Sequence, residues 1–226
     1  MTKWICTSAM LAFAGLLGIA MPAAAAELPE ILREDFEQGA ARWRPFDPNS
    51  WKVLRTPKGH VYSLFEQSKY QPPHRSPLNI AILDDPIVGD FALEARLQST
   101  VKDYDHRSMV LVFGYQDPAH FYYVHFGKKT DDHANQIFIV NDAPRVKIST
   151  KTTPGTAWDG AWHRIKITRN AGDGAIAVYF DDMQEPVMTA TDTTFAWGKI
   201  GIGAFDDLGN FDDIVLAGQR VEPPAK

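Results

Sequence analysis

The sequence predicts an all-β protein built as a two-sheet antiparallel β-sandwich. Three observations lead to this fold class. Helical periodicity is almost absent after residue 26, short stretches of alternating apolar and polar residues recur along the chain, and turn residues separate these stretches at short intervals. Nothing in residues 27–220 looks like a linker or a repeat, so we expect one sandwich domain there, with a short proline-containing tail at 221–226.

The first 26 residues have the layout of a secretory signal peptide. Lys3 is followed by an apolar run at residues 5–21, Pro22 breaks any helix, and Ala23–Ala26 offers a small-residue cleavage site. Cleavage after that site leaves 200 residues, enough for one domain with a sizeable core. We therefore expect an exported protein, periplasmic or extracellular, with no transmembrane anchor after cleavage.

Composition excludes several classes of function. The one cysteine, Cys6, lies in the predicted signal, so the exported chain has no disulfide, thiol nucleophile or thiolate metal site. The net charge is −5, and removal of Lys3 makes it −6. A mildly acidic protein of this kind is not expected to bind nucleic acid, which requires a basic surface.

The clearest strand is the stretch FALEARLQS, in which alternate residues predict one buried face. A hairpin follows later, because AGDG at residues 171–174 joins HRIKITRN to AIAVYFDD. The remaining predicted strands are Trp51–Arg55, Val61–Gln67, Asn79–Leu83, Ser108–Tyr115, Phe121–Gly127, Gln136–Asn141, Arg145–Ser149, Lys199–Phe205 and Phe211–Leu216.

Several of these segments resemble the concanavalin A-like (laminin-G/glucanase) jelly-roll superfamily. The likeness rests on an opening DFE, a tryptophan-containing N-terminal segment, WHRIKI, a hairpin, KIGIG, and FDDI closing back beside the first strand. It spans most of the chain after residue 26 and is nearest to the 3-keto-disaccharide hydrolase-like domains. The resemblance implies a jelly roll with a carbohydrate site on its concave sheet, but the superfamily mixes lectins, hydrolases, lyases and adhesion modules.

The stretch HFYYVHFGKK, residues 120–129, gives the main candidate site. Residues 106–145 are expected to supply the central strands of the concave sheet, with Val124 and Phe126 in the core and Tyr123 and His125 in the groove. Aromatic faces and fixed donors suit a sugar ligand. Alternation is expected to place Arg107 and Tyr115 on the same face of the preceding strand. The predicted substrate-binding residues are Tyr115, His120, Lys128, Asn135, Gln136, Asn141 and Arg145.

The residue types favour a lyase over a glycosidase, if the protein is an enzyme. No E-x-D-x-x-E strand is present, and no glutamate lies between Glu94 and Glu185, so the usual pair of catalytic carboxyl groups is missing. In a polysaccharide lyase, Arg107 would neutralise the uronate carboxylate, and Tyr123 and His125 would act as acid and base. The Q-I-H and Y-F-K-x-G motifs of jelly-roll lyases are not matched, and no serine or zinc motif is found.

A structural calcium site is predicted near the two ends of the domain. Hard carboxylate ligands are concentrated in FDDLGNFDDI and on the first strand expected beside it. The candidate ligands are Glu34, Asp35, Asp212 and Asp213. The alternative is a solvated acidic turn.

Three functions remain open from the sequence. The first is a protein that engages carbohydrate on its concave sheet, with degradation of polysaccharide left open. The second is a non-catalytic glycan-binding or adhesion module, and the third is a structural envelope protein. The structural role would leave the concave face flat, or covered by the proline-rich segment Lys69–Pro77, which carries His74 and Arg75.

Overall fold

The computed structural model describes Met1 and residues 28–224, so the predicted signal peptide lies outside the described residues. Among them, no helix is long and apolar enough to cross a membrane. A short 3-10 helix covers Pro48–Ser50. The strands are β1 (Glu30–Glu34), β2 (Trp43–Pro45), β3 (Trp51–Thr56), β4 (Gly59–Leu64), β5 (Asn79–Leu83), β6 (Val88–Ser99), β7 (Ser108–Asp117), β8 (His120–Gly127), β9 (Gln136–Asn141), β10 (Val146–Lys147), β11 (Ser149–Thr152), β12 (His163–Arg169), β13 (Ala175–Phe180), β14 (Met188–Thr191), β15 (Lys199–Ala204) and β16 (Gly209–Arg220).

These strands form two antiparallel sheets, which confirms the predicted all-β sandwich. The nine-stranded sheet has the order β11-β14-β13-β12-β6-β16-β4-β3, with β1 also paired to β16. The seven-stranded sheet has the order β10-β9-β8-β7-β15-β5-β2, so β7 and β8 are central, as expected for residues 106–145. The last strand closes beside the first, with Glu34 opposite Ile214.

The inter-sheet core is built by the alternation that the sequence shows. In β6, Phe91, Leu93, Ala95 and Leu97 all point inward, and the predicted hairpin joins β12 to β13. On β8, Val124 and Phe126 enter the same core, as predicted. Burial of this large apolar set stabilises the sandwich without any disulfide in the described residues.

A second hydrophobic cluster covers the outer face of the seven-stranded sheet. Its buried members come from the central strands β5, β7, β8 and β9, with Phe46 and Tyr115 packed against it at the margin. Those members are Ile80, Ile82, Val110, Val112, Phe121, Tyr123, Phe138 and Val140. This sheet is therefore buried on both faces, whereas the nine-stranded sheet keeps polar side chains on its outer face.

Strand β7 changes the direction of its side chains near its end. The pairing with β8 shifts register between Phe113 and Asp117, and Gly114 takes a φ of 58°, which glycine adopts without a steric cost. Phe113 faces the inter-sheet core, whereas Tyr115 packs on the outer cluster. The bulge thus places Tyr115 on the opposite face from the one that continuous alternation would give.

Candidate functional site

Tyr123 lies on the predicted face of β8, but its side chain is buried. Its hydroxyl accepts a hydrogen bond from Arg145 Nη1 at 2.8 Å, and its ring stacks on Phe138 with centroids 5.1 Å apart. The Arg145 guanidinium lies over the rings of Phe138 and Phe205, at 4.6 and 4.3 Å. Burial raises the pKa of Tyr123, so the phenol remains protonated.

His125 also points to this outer face and is buried there. Its Nδ1 lies 2.8 Å from the carbonyl oxygen of His133, and its ring stacks on Phe205 at 5.7 Å. Its Nε2 is buried and has no hydrogen-bond partner. Burial, with the charge of Arg145, lowers the pKa of His125 to about 3, so the ring is neutral at physiological pH.

The segment between β4 and β5 helps to cover this face. The carbonyl of Arg75 accepts the amide of Arg145 at 3.1 Å, and His74 Nε2 lies 3.2 Å from Asp142. Ser76 is 1% exposed. The segment Lys69–Pro77, which the sequence left as one way of covering the concave face, therefore contacts the β9–β10 connection, whose Arg145 side chain in turn contacts Tyr123.

Arg107 does not join Tyr123 and His125. Its Nε and Nη2 donate to the hydroxyl and carbonyl oxygens of Ser99, on the nine-stranded sheet, at 2.9 and 2.8 Å. The expectation that Arg107 and Tyr115 share one face is wrong, because the bulge at Gly114 shifts the later residues. Of the three proposed catalytic side chains, Tyr123 and His125 therefore lie together, with ring centroids 6.4 Å apart, whereas Arg107 lies elsewhere.

The other predicted binding residues divide between structural and surface positions. Asn135 is buried, has a φ of 53°, and donates from Nδ2 to Thr130, Thr152 and the carbonyl of Thr153. Gln136 is also buried and donates to the carbonyl of Asp131 at 2.8 Å. These contacts hold the β8–β9 connection, and the Asn135 Oδ1 is buried without a hydrogen-bond partner among the described residues.

The remaining candidates lie nearer to solvent. His120 is held by Asp117 at 2.8 Å, and Asn141 is exposed opposite it at the end of β9. Lys128 forms an ion pair with Asp103. None of these three contacts Tyr123 or His125 among the described hydrogen bonds, so they do not complete one site with them.

A set of three partly exposed aromatic rings lies at the margin of the same face. Phe46 contacts Tyr70 with ring centroids 4.6 Å apart and Tyr115 with centroids 6.1 Å apart. Burial raises the pKa of both tyrosines, so their hydroxyls remain donors. The sequence pointed to Tyr115 alone, because Phe46 and Tyr70 come from connections that are distant along the chain. We call these three residues the aromatic margin.

The comparisons with known proteins agree with this architecture. The carbohydrate-binding module CBM66 from Bacillus subtilis superposes with a TM-score of 0.56 at 16% identity, covering 78% of this chain and 96% of that one. Domain 4 of AbnA, a GH43 extracellular arabinanase from Geobacillus stearothermophilus, in complex with arabinotriose, gives 0.55 at 11% identity over 87% of this chain and 96% of that one. Winged bean acidic lectin complexed with methyl-α-D-galactose gives 0.53 at 12% identity over 83% and 97%.

The chain has a lectin-like β-sandwich fold. No protein-family model matches it, and no curated protein matches it either. The likeness to known structures therefore concerns the fold, and the finer likeness to 3-keto-disaccharide hydrolase-like domains stays a prediction.

The four predicted calcium ligands each make a contact within the protein. Glu34 accepts the amide of Phe36 at 3.2 Å, and Asp213 pairs with Arg96 at 2.7 Å. Asp212 and Asp35 accept backbone amides at 2.8 and 3.1 Å. Within residues 28–224, no group of three or more His, Cys, Asp or Glu side chains is arranged to hold a metal ion. Calcium binding by these four residues stays a prediction of the sequence.

Proposed function

We propose that this chain is an exported, non-catalytic carbohydrate-binding protein that holds its ligand at the aromatic margin. The observation that carries the proposal is a contrast on one face of the seven-stranded sheet. The side chains suited to catalysis there are buried, whereas the rings of Phe46, Tyr70 and Tyr115 reach solvent.

The buried pair Tyr123 and His125 is poorly suited to proton transfer. A general base must reach the substrate proton and have a pKa near the working pH. His125 is buried and its pKa of about 3 makes it a weak base, and the Tyr123 hydroxyl is held by Arg145. These contacts favour binding over the lyase chemistry that the residue types suggested.

The aromatic margin supplies what a sugar ring needs. Flat aromatic faces pack against the C–H groups of a pyranose or furanose ring, and phenol hydroxyls give directional hydrogen bonds. Phe46 and Tyr115 rest on the buried outer cluster, so the rings are fixed before a ligand binds. A preorganised surface loses little side-chain entropy on binding.

The structural neighbours support the same class of ligand. One is a carbohydrate-binding module, one was determined in complex with arabinotriose, and one was complexed with methyl-α-D-galactose. The predicted signal peptide supports export, where polysaccharide ligands are available.

Retention on immobilised glycans tests the proposal. Neutral and anionic polysaccharides would be screened with the purified mature protein, and the best ligand would then be used for Tyr115→Ala and Tyr70→Ala. We expect each variant to lose at least tenfold in affinity, because each removes one stacking surface. Tyr179→Ala is the matched control, since Tyr179 is a partly exposed tyrosine on the other sheet and should bind normally.

The same screen separates binding from catalysis. Unsaturated-uronate absorbance and new reducing ends should both stay at background with every glycan. Turnover that is lost in Tyr123→Phe or His125→Ala would establish an enzyme and overturn the non-catalytic proposal. Absence of retention on every glycan would instead favour a structural envelope protein.

A further inference from the structure

A groove of about 340 Å³ crosses the outer face of the nine-stranded sheet. One wall is Trp162, which directly precedes β12, and the other is the β3–β4 turn at Thr56–Lys58. The floor is formed by Arg96 and Gln98 of β6 and by Asp212 of β16. This groove lies on the opposite sheet from the aromatic margin and shares no residue with it.

The pairing of the strands explains why these side chains meet. Arg96 lies opposite Arg164 on one side and Asp212 on the other, so Trp162, two residues before Arg164, projects from the same face as Arg96. The guanidinium of Arg96 lies 4.9 Å from the centre of a Trp162 ring. Because this contact fixes both side chains, the aromatic wall is held in place in the empty groove.

The floor has a rigid part and a part with free hydrogen-bonding capacity. Gln98 accepts a hydrogen bond from Asn210 and donates one to Gly160, both at 2.9 Å, so its amide is already used. Arg96 donates from Nη1 to Asp213, and Asp212 accepts the amide of Asp213 through Oδ1. Among the described residues, the other oxygen of Asp212 makes no hydrogen bond, and the Lys58 ammonium on the facing wall makes no ion pair.

We propose that this groove is a second carbohydrate-binding site that takes an uncharged sugar unit with adjacent hydroxyl groups. The part of the Trp162 indole that lines the groove would contact the C–H groups of the ring. The free oxygen of Asp212 would accept a hydrogen bond from one hydroxyl, and the cationic groups of Arg96 and Lys58 would donate to its neighbour.

Charge and size define the ligand class. A uronate would be attracted by Arg96 and Lys58 but repelled by the Asp212 carboxylate, and an amino sugar would be attracted by Asp212 but repelled by the two cations, so a ligand of either charge meets a like charge. A neutral ring with a donor and an acceptor on adjacent carbons avoids both costs. The volume lies near the lower end of the range for small-ligand sites, which suits one or two sugar units rather than a long chain.

This inference goes beyond the proposed function because the site is independent of the aromatic margin. Two sites on opposite sheets would let one molecule bind two glycan chains at once. The increase in avidity from such bivalency depends on both sites and is lost when either is removed.

Nuclear magnetic resonance of the mature protein tests the proposal directly. Indole N–H resonances of ¹⁵N-labelled protein would be followed during titration with arabinotriose, methyl α-D-galactoside, maltose and cellobiose, and with galacturonate and glucosamine as charged counterparts. The Trp162 resonance is assigned by its disappearance in Trp162→Phe. We expect at least one neutral sugar to shift this resonance saturably, and the charged sugars to bind at least tenfold more weakly.

Variants then separate this site from the aromatic margin. Because both variants lack the indole, sugar binding is followed in them by the backbone amide resonances of Arg96 and Gln98. Trp162→Ala should weaken binding of the neutral sugar at least tenfold, and Trp162→Phe should weaken it less because the phenyl ring keeps part of the stacking surface. Tyr179→Ala is the matched control, since Tyr179 is an aromatic residue of the same sheet with Lys166 4.1 Å above its ring. Tyr115→Ala should leave the Trp162 shift unchanged, so failure of one site does not imply failure of the other.

Two results would overturn the second site. One is that none of the four neutral sugars moves the Trp162 resonance. The other is that Trp162→Ala, with the remaining resonances unchanged, binds the sugar as tightly as Tyr179→Ala.

Discussion

Replacing Asp212 with asparagine should stabilise the protein at neutral pH. Burial raises the pKa of Asp212 to about 6, and the charges of Asp213 and Asp35 act in the same direction, against the amide of Asp213 and the charge of Arg96. The folded state therefore holds this proton more tightly than the unfolded chain, where the pKa is near 3.8. The stability that this preference contributes is present below about pH 4 and is lost as the pH rises through about 6.

The size of the effect follows from these pKa values. A difference of about 2 between the folded and unfolded pKa corresponds to ~3 kcal/mol. Because Asp212 is only half-buried, solvent screens much of the free-energy cost of its charge in the folded state. We therefore expect Asp212→Asn to raise the free energy of unfolding by ~1 kcal/mol. The amide oxygen of asparagine can still accept the amide of Asp213, so the substitution removes the charge without removing that hydrogen bond.

Urea unfolding followed by tryptophan fluorescence measures this gain. Asp212→Asn should unfold at higher urea than the wild type near pH 7.5, and the difference should shrink to a few tenths of a kcal/mol, roughly, near pH 4.5. Asp213→Asn is the matched control, because it lies next in the chain, is exposed, and loses an ion pair with Arg96. A gain of equal size at both pH values, or a loss near pH 7.5, would refute the reasoning about the Asp212 charge.

Two further predictions concern the other sheet. The pKa of His125 is lowered from 6.5 to about 3. The stability that the neutral ring contributes is therefore present above pH 6.5 and is lost as the pH falls from 6.5 towards 3. Between about pH 6 and 4, His125→Phe should reduce the slope of the unfolding free energy against pH by up to ~1.4 kcal/mol per pH unit. An unchanged slope would contradict a neutral buried ring. Gly203→Ala should cost ~3 kcal/mol or more in urea unfolding, because the added Cβ would lie 1.9 Å from the Asn79 carbonyl oxygen. Gly172→Ala, in the β12–β13 turn, should cost far less, and equal losses would contradict the steric argument.

Local patterns were sufficient to predict much of this fold. The alternation in β6, β12 and β13 and the glycine-rich turn between β12 and β13 were predicted from short stretches of sequence. Each of these features depends on neighbouring residues or on one strong turn signal. The pairing of the last strand with the first was implied by the family resemblance. The faces of β8 were predicted correctly for the same reason.

The state of the candidate site depends on contacts between distant residues. Tyr123 is covered because Arg145 folds back over β8 and because Arg75, far earlier in the chain, holds the Arg145 backbone. Arg107 turns to Ser99 on the other sheet, and the bulge at Gly114 reverses the face of Tyr115. Alternation along one strand contains no information about such partners.

Hydrophobic patterning nevertheless distinguishes the two sheets. The runs MVLVF in β7 and QIFIV in β9 have almost no polar alternation, and strands of this kind are buried on both faces. Strands β6 and β12, in FALEARLQS and HRIKITR, alternate strictly and keep one face in contact with solvent. Polar residues within the continuous runs, such as His125, are therefore expected to be buried structural groups. Polar residues on the alternating strands, such as Arg96 and Gln98, lie on an accessible surface. By this criterion, the alternating strands leave an accessible polar surface for a second ligand, in addition to the aromatic margin on the other sheet, and the groove beside Trp162 is one concave part of that surface.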